Sequence, residues 1–135
     1  PLVNDIKLIR SSEMKLIAAE SKARTNDLAG AAQAIKELRD ARFGSSQPLP
    51  TYNNLNQALT DILQERRLEL AFEGQRFLDI KRIGADINTG INRNEADCAS
   101  FSAPCGLPRQ DYRFTLPIPQ LELNANPNIT QNTGY

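Results

Sequence analysis

An all-α fold of helical hairpins, with long irregular loops and an extended C-terminal tail, follows from three observations. Apolar residues recur at helical spacing in four segments up to Arg82. Capping and turn residues separate those segments, and no comparable period survives beyond Ile83. The first helix is expected over Ile6 to Arg24, which lacks Gly and Pro and spaces Ile6, Ile9, Leu16, Ile17 and Ala23 helically. Thr25-Asn26-Asp27 supplies a break and an N-cap, and Leu28 to Arg42 follows with Leu28, Ala31, Ala32, Ile35 and Leu38 on one face. A turn this short makes the two helices an antiparallel hairpin. Gly44 is a C-cap candidate, and Pro48 and Pro50 turn Ser45 to Tyr52 into a linker.

Asn53 or Asn54 caps a third helix through Leu55, Leu59, Ile62 and Leu63, ending near Gly74. A shorter one, Gln75 to Arg82, stops before Gly84. Two successive hairpins of this kind are tetratricopeptide-like, each needing a neighbour to bury its face. Residues 83–113 are rich in Gly, Asn, Asp, Ser and Pro and read as one long loop within a single domain spanning 1–135. Phe114 to Pro119 alternates apolar residues around two prolines, so it is extended and at most an edge strand. Gln120 to Asn124 fits one helical turn before a turn-rich end at Tyr135.

Composition narrows the chemistry. Sixteen basic against 16 acidic residues leave a formal charge of zero, so nothing gathers phosphate backbones, and nucleic acid is not an expected partner. The 135 residues contain no His, which rules out His-dependent triads and His zinc sites. No run is long and apolar enough to span a bilayer. The start at Pro1, without a signal segment, reads as a processed or excised piece.

Charges fall on the apolar faces. With Ile6 as origin of a helical wheel, Arg10, Glu13, Glu20 and Arg24 lie within about 40° of it. On the third helix Arg66, Glu69 and Glu73 share the face of Leu55, Leu59 and Ile62. One reading is solvent-exposed i,i+4 pairs; the other is an ion network between helices, where Arg is favoured because its planar fork grips a carboxylate bidentately. Acid/base hydrolysis by Glu13, Glu20, Glu69 or Glu73 would need one acid with a raised pKa in an open cleft. An Arg beside each acid lowers those values instead.

These residues also form recognisable motifs. Arg10-Ser-Ser-Glu13-Met-Lys-Leu16-Ile17-Ala-Ala19-Glu20 and the helix from Asp27 to Arg42 are two of them. The third is Glu65-Arg66-Arg67-x-Glu69-Leu70-x-Phe72-Glu73-Gly74-x-Arg76-x-x-Asp79-x-Lys81-Arg82. The fourth joins Leu116-Pro117-Ile118-Pro119-Gln120-x-Glu122 to Asn126-Pro127 and Gln131-Asn132-x-Gly134-Tyr135. Together they resemble the C-terminal region of the SusD/RagB family of outer-membrane nutrient-binding lipoproteins. The resemblance implies tetratricopeptide-like helix pairs, and a cell-surface component that passes glycans or other nutrients to a SusC-like TonB-dependent transporter. It implies a lipid anchor upstream of these residues and does not imply an enzyme; no cofactor is expected. Arg10, Glu13, Glu20, Arg66, Glu69, Glu73, Arg76 and Asp79 carry over as residues that hold the fold.

Cys98 and Cys105 are too few for a zinc site without His and lack C-x-x-C spacing, which leaves a disulfide or two thiols. The exported setting implied by the family favours the disulfide. Ligand contacts are expected on the loop, where Asn92, Arg93, Asn94, Asp97 and Tyr112, with Asn88 and Gln110, offer amides, charges and an aromatic ring to an oligosaccharide. Capture of a nutrient for a transporter is therefore the leading expectation. The alternative is a protein-binding scaffold whose nutrient site lies outside this chain.

Overall fold

The computed structural model describes residues 9–98 and 104–135. Helices dominate: α1 (Ser11–Arg24), α2 (Leu28–Phe43), α3 (Leu55–Glu69), α4 (Arg76–Ile83), α5 (Glu95–Cys98) and α6 (Gln120–Ala125). Two two-residue strands, β1 (Ile91–Asn92) and β2 (Gly106–Leu107), and a 3-10 turn at Tyr112–Phe114 complete the described elements. The chain divides into two compact units, residues 1–79 and 80–135.

The first unit is built on α1, which packs against both α2 and α3. Asp27 accepts the Gly30 N–H at 2.8 Å and caps α2, while Asn54 accepts from Gln57 and caps α3. Gly44 ends α2 at φ +65°, the left-handed conformation a C-cap requires and a side chain resists. The core joins Leu16, Ala19 and Ala23 to Ala31, Ala34, Ile35 and Leu38, and to Ala58 and Ile62. Alanines on the facing surfaces of α1 and α2 let the helix backbones approach closely, so this core is dense without large side chains.

Two helix boundaries differ from the sequence reading. α1 begins at Ser11, with Arg10 extended ahead of it, and Ile6 lies outside the described residues. Ile9 is therefore not helical and is 77% exposed, and Ile17 is 47% exposed. The buried stripe is Ser12, Leu16, Ala19, Glu20 and Ala23, one residue, or about 100°, around from the expected face. α3 ends at Glu69 instead of near Gly74, because residues 70–74 turn: Phe72 at φ +66° and Gly74 at φ +75° are both left-handed. For a residue with a side chain that conformation costs roughly 1 kcal/mol.

The second unit buries Ile80, Ile83 and Phe114. The 83–113 stretch is not one structureless loop: β1 and β2 pair antiparallel, Ile91 with Leu107 and Asn92 with Gly106. Strands of two residues are too short to leave a periodic signal, and their pairing is non-local. Cys98, at the end of α5, is disulfide-bonded to Cys105, one residue before β2, with Cα atoms 5.4 Å apart. Phe114 sits in the 3-10 turn, capped by Asp111, and not in the extended segment that follows. That segment, with two prolines, is completed by side chains. Gln131 accepts from Ile118 N–H at 2.8 Å and donates to Ile118 C=O at 3.0 Å, while Asn132 donates to Leu116 C=O at 2.7 Å.

Candidate functional site

In the first unit, charges gather where helix ends meet. Arg10, just ahead of α1, bonds the Glu69 carboxylate, donates to its backbone carbonyl at 3.2 Å and pairs with Glu73. Arg42, in the last turn of α2, grips both oxygens of the same Glu69. One carboxylate, 8% exposed, thus ties the start of α1 to the ends of α2 and α3. Its pKa is held below the ordinary range chiefly by the bond from Arg42, with the charges of Arg42 and Arg10 assisting against burial.

The other candidate charges are distributed around this cluster. Glu20, buried on α1, accepts from Arg24 at 2.8 Å. Arg66 donates to Asp79 at 2.8 Å, both side chains being about 95% buried. Arg76 reaches the Leu63 carbonyl at 3.3 Å. Glu13 is half-buried and makes no ion pair with any described residue; it lines a cleft of about 740 Å3 together with Ile9, Arg10, Ser12, Arg42 and Glu73. The cleft falls in the size range of small-molecule sites, yet the described residues that line it include no aromatic ring for a sugar face.

A second network escaped the sequence reading. Arg39 of α2 holds Glu65 at 2.6 and 2.8 Å and Asp61 at 2.7 Å, and the Tyr52 hydroxyl donates to Asp61 at 2.6 Å. Burial, reinforced by Asp61, raises the Tyr52 pKa far above that of a free phenol. Asp61 and Glu65 stand one turn apart on α3, a spacing that marks a shared face but does not name the Arg that bridges them.

In the second unit, Asn92, Arg93, Asn94 and Asp97 lie on β1 and the segment leading through α5, all exposed. Asn94 turns its side chain back to the Ala96 N–H at 3.0 Å, so that group is engaged locally. Tyr112 belongs to a different cluster. Its ring meets Tyr135 edge-on at 5.0 Å, and Arg113 lies 5.8 Å from its centre. Asn88 and Gln110 bond each other at 2.7 Å. Arg113 in turn grips Asp111 through two bonds of 2.7 and 2.8 Å, which with the Arg113 N–H lowers the Asp111 pKa to about 2.

Glu37, Asp40, Glu69 and Asp111 each have a pKa displaced downward. These groups serve as acceptors and counter-ions, the opposite of a general acid held protonated at neutral pH. No helix among the described residues is long and apolar enough to cross a membrane.

The comparisons with known proteins agree in direction. SusD-like protein P2 of Formosa agariphila is 36% identical over 140 aligned positions, covering 94% of this chain and 25% of that protein. SusD-like protein P38 of the same organism is 30% identical over 143 positions, covering 100% of this chain and 26% of the relative. The chain therefore spans about a quarter of the length of these relatives. No solved structure matches at comparable significance. The SusD family model matches residues 3–135, nearly the whole sequence, and with that extent and those relatives the chain belongs to the SusD family.

Proposed function

We propose that the chain is part of a glycan- or nutrient-binding component of a bacterial outer-membrane uptake system. The component captures substrate at the cell surface, where a lipid anchor outside these residues holds it, and passes it to a SusC-like TonB-dependent transporter. Family membership over residues 3–135 is the observation that carries this reading. Within it, Arg10, Glu20, Arg66, Glu69, Glu73, Arg76 and Asp79 hold the fold through the bonds described, Glu13 joins them on the motif alone, and Asn92, Arg93, Asn94, Asp97 and Tyr112 are the candidate ligand contacts. The reading contains no catalytic step, in keeping with the lowered pKa values of Glu37, Asp40, Glu69 and Asp111.

A scaffold role, with the nutrient held elsewhere in a longer polypeptide, is favoured by one observation: Asn94 and Tyr112 already have partners within the unit. Affinity electrophoresis through native gels containing different polysaccharides separates the two. Retardation in one gel places a glycan site in this chain and identifies its class. Unretarded migration in every gel assigns the chain to the scaffold, and a cleared zone in the polymer stain would make it an enzyme.

A further inference from the structure

The turn between α3 and α4 is fixed on both flanks. Leu70 is buried at 4% exposure and its N–H closes on the Arg66 carbonyl at 2.9 Å. The Glu73 N–H donates to the Leu70 carbonyl at 3.2 Å, and its carboxylate is held by Arg10. Between these anchors Phe72 stands fully exposed, at 108% of its reference area, on a backbone with φ +66°.

Two physical costs coincide at this position. The left-handed backbone disfavours any Cβ, and a whole aromatic side chain is left in water. Asn would relieve both, since its short polar side chain tolerates this conformation. Strain retained at a fixed, exposed site points to a task outside the local fold. A rigid aromatic with few rotamers is the form taken by interface anchors that fill a partner's pocket. Leu68, 62% exposed in the last turn of α3, adds apolar surface one turn before it.

We propose that Phe72 is a docking anchor that inserts into an apolar pocket formed by the rest of a SusD-like polypeptide. The relatives supply the occupant, because about three-quarters of their length lies outside the region this chain matches. Docking within one polypeptide also proceeds at high effective concentration, so a single anchor contributes without a large surface around it. The proposal rests on family membership and is independent of the glycan reading.

The test uses a chimaera in which this chain replaces the matched quarter of SusD-like protein P2, alongside the 135-residue chain itself. Both native cysteines are in the disulfide, so Phe72→Cys introduces one reactive thiol, read against the chimaera without it. The thiol should label at the free rate in the chain and at least about 100-fold more slowly in the chimaera. Phe72→Asn should raise the Tm of the chain by about 2 to 4 °C and lower that of the chimaera. Opposite signs support the anchor. Equal labelling rates, shifts of one sign, or a chimaera that does not fold as a monomer overturn it. A Phe72-dependent dimer of the chain in sedimentation equilibrium would give the site to a second copy and overturn the proposed occupant.

Discussion

Glu69 receives two arginines, one from the extended residue ahead of α1 and one from the last turn of α2, and at 8% exposure its charge has little water to fall back on. Replacing it with Gln keeps the shape and removes the charge, leaving Arg10 and Arg42 to resolvate. Because both arginines are partly exposed, the expected loss is about 2 kcal/mol, below the full cost of stripping a deeply buried pair. Urea melts of Glu69→Gln measure it, and a change under about 0.5 kcal/mol would mean that solvent already screens the cluster. The same residue sets a pH dependence. Its folded pKa lies below the unfolded value, so the unfolded chain binds more protons in acid. Its contribution is complete above the unfolded pKa of roughly 4.3 and is lost as pH falls through the folded value. Asp111, at about 2, acts in the same direction, its share disappearing between pH near 4 and near 2. Stability plotted against pH should therefore fall on acidification through that window, with a shallower slope in Glu69→Gln.

At the scale of elements, the extended segment from Leu116 to Pro119 depends on a partner that is not a strand. Its prolines lack N–H groups, and Gln131 meets both the N–H and the C=O of Ile118 with a single amide. Gln131→Ala removes both bonds, and about 1.4 kcal/mol of lost local protection corresponds to tenfold faster hydrogen exchange at Ile118. An unchanged rate there would show that the tail is held elsewhere. Such side-chain pairing is hard to read from sequence, because nothing in the spacing of Gln131 names Ile118. Helix caps are the opposite case: Asp27, Asn54 and Gly44 act on their immediate neighbours, so the limits they set were legible. The expected face of α1 differs by one residue because Ile9 precedes the helix and Ile6, the origin of the wheel, lies outside the described residues. Small alanines, with Leu16, make the actual core stripe, and their low hydrophobicity hides it from a wheel weighted by large side chains. Among the candidate charges, Arg66 was placed on its buried face by the α3 periodicity, whereas Arg39 and Arg42, which bridge from α2, were missed. Periodicity shows which residues share a face and is silent on which other element that face will meet.

For the molecule as a whole, the division at residue 79 asks whether stability is shared or held separately by each unit. The hydrophobic cluster of Leu16, Ile35 and Ile62 belongs to the first, while Ile80, Ile83 and Phe114 are buried in the second. Cys98–Cys105 closes a short ring in the second unit only. In the chain-entropy picture a ring of that size is worth about 2.5 kcal/mol, gained by restricting the unfolded chain. Mild reduction should therefore lower hydrogen-exchange protection at β1 and β2 and leave α3 as it was, provided the units open independently. If protection of Ile62 and Leu63 fell by the same amount, the two units would unfold as one cooperative body, and the disulfide would be stabilising the helices from outside their own core. The comparison thus distinguishes a helical unit that stands on its ion pairs and alanine-rich packing from one that draws part of its stability from the stapled loop.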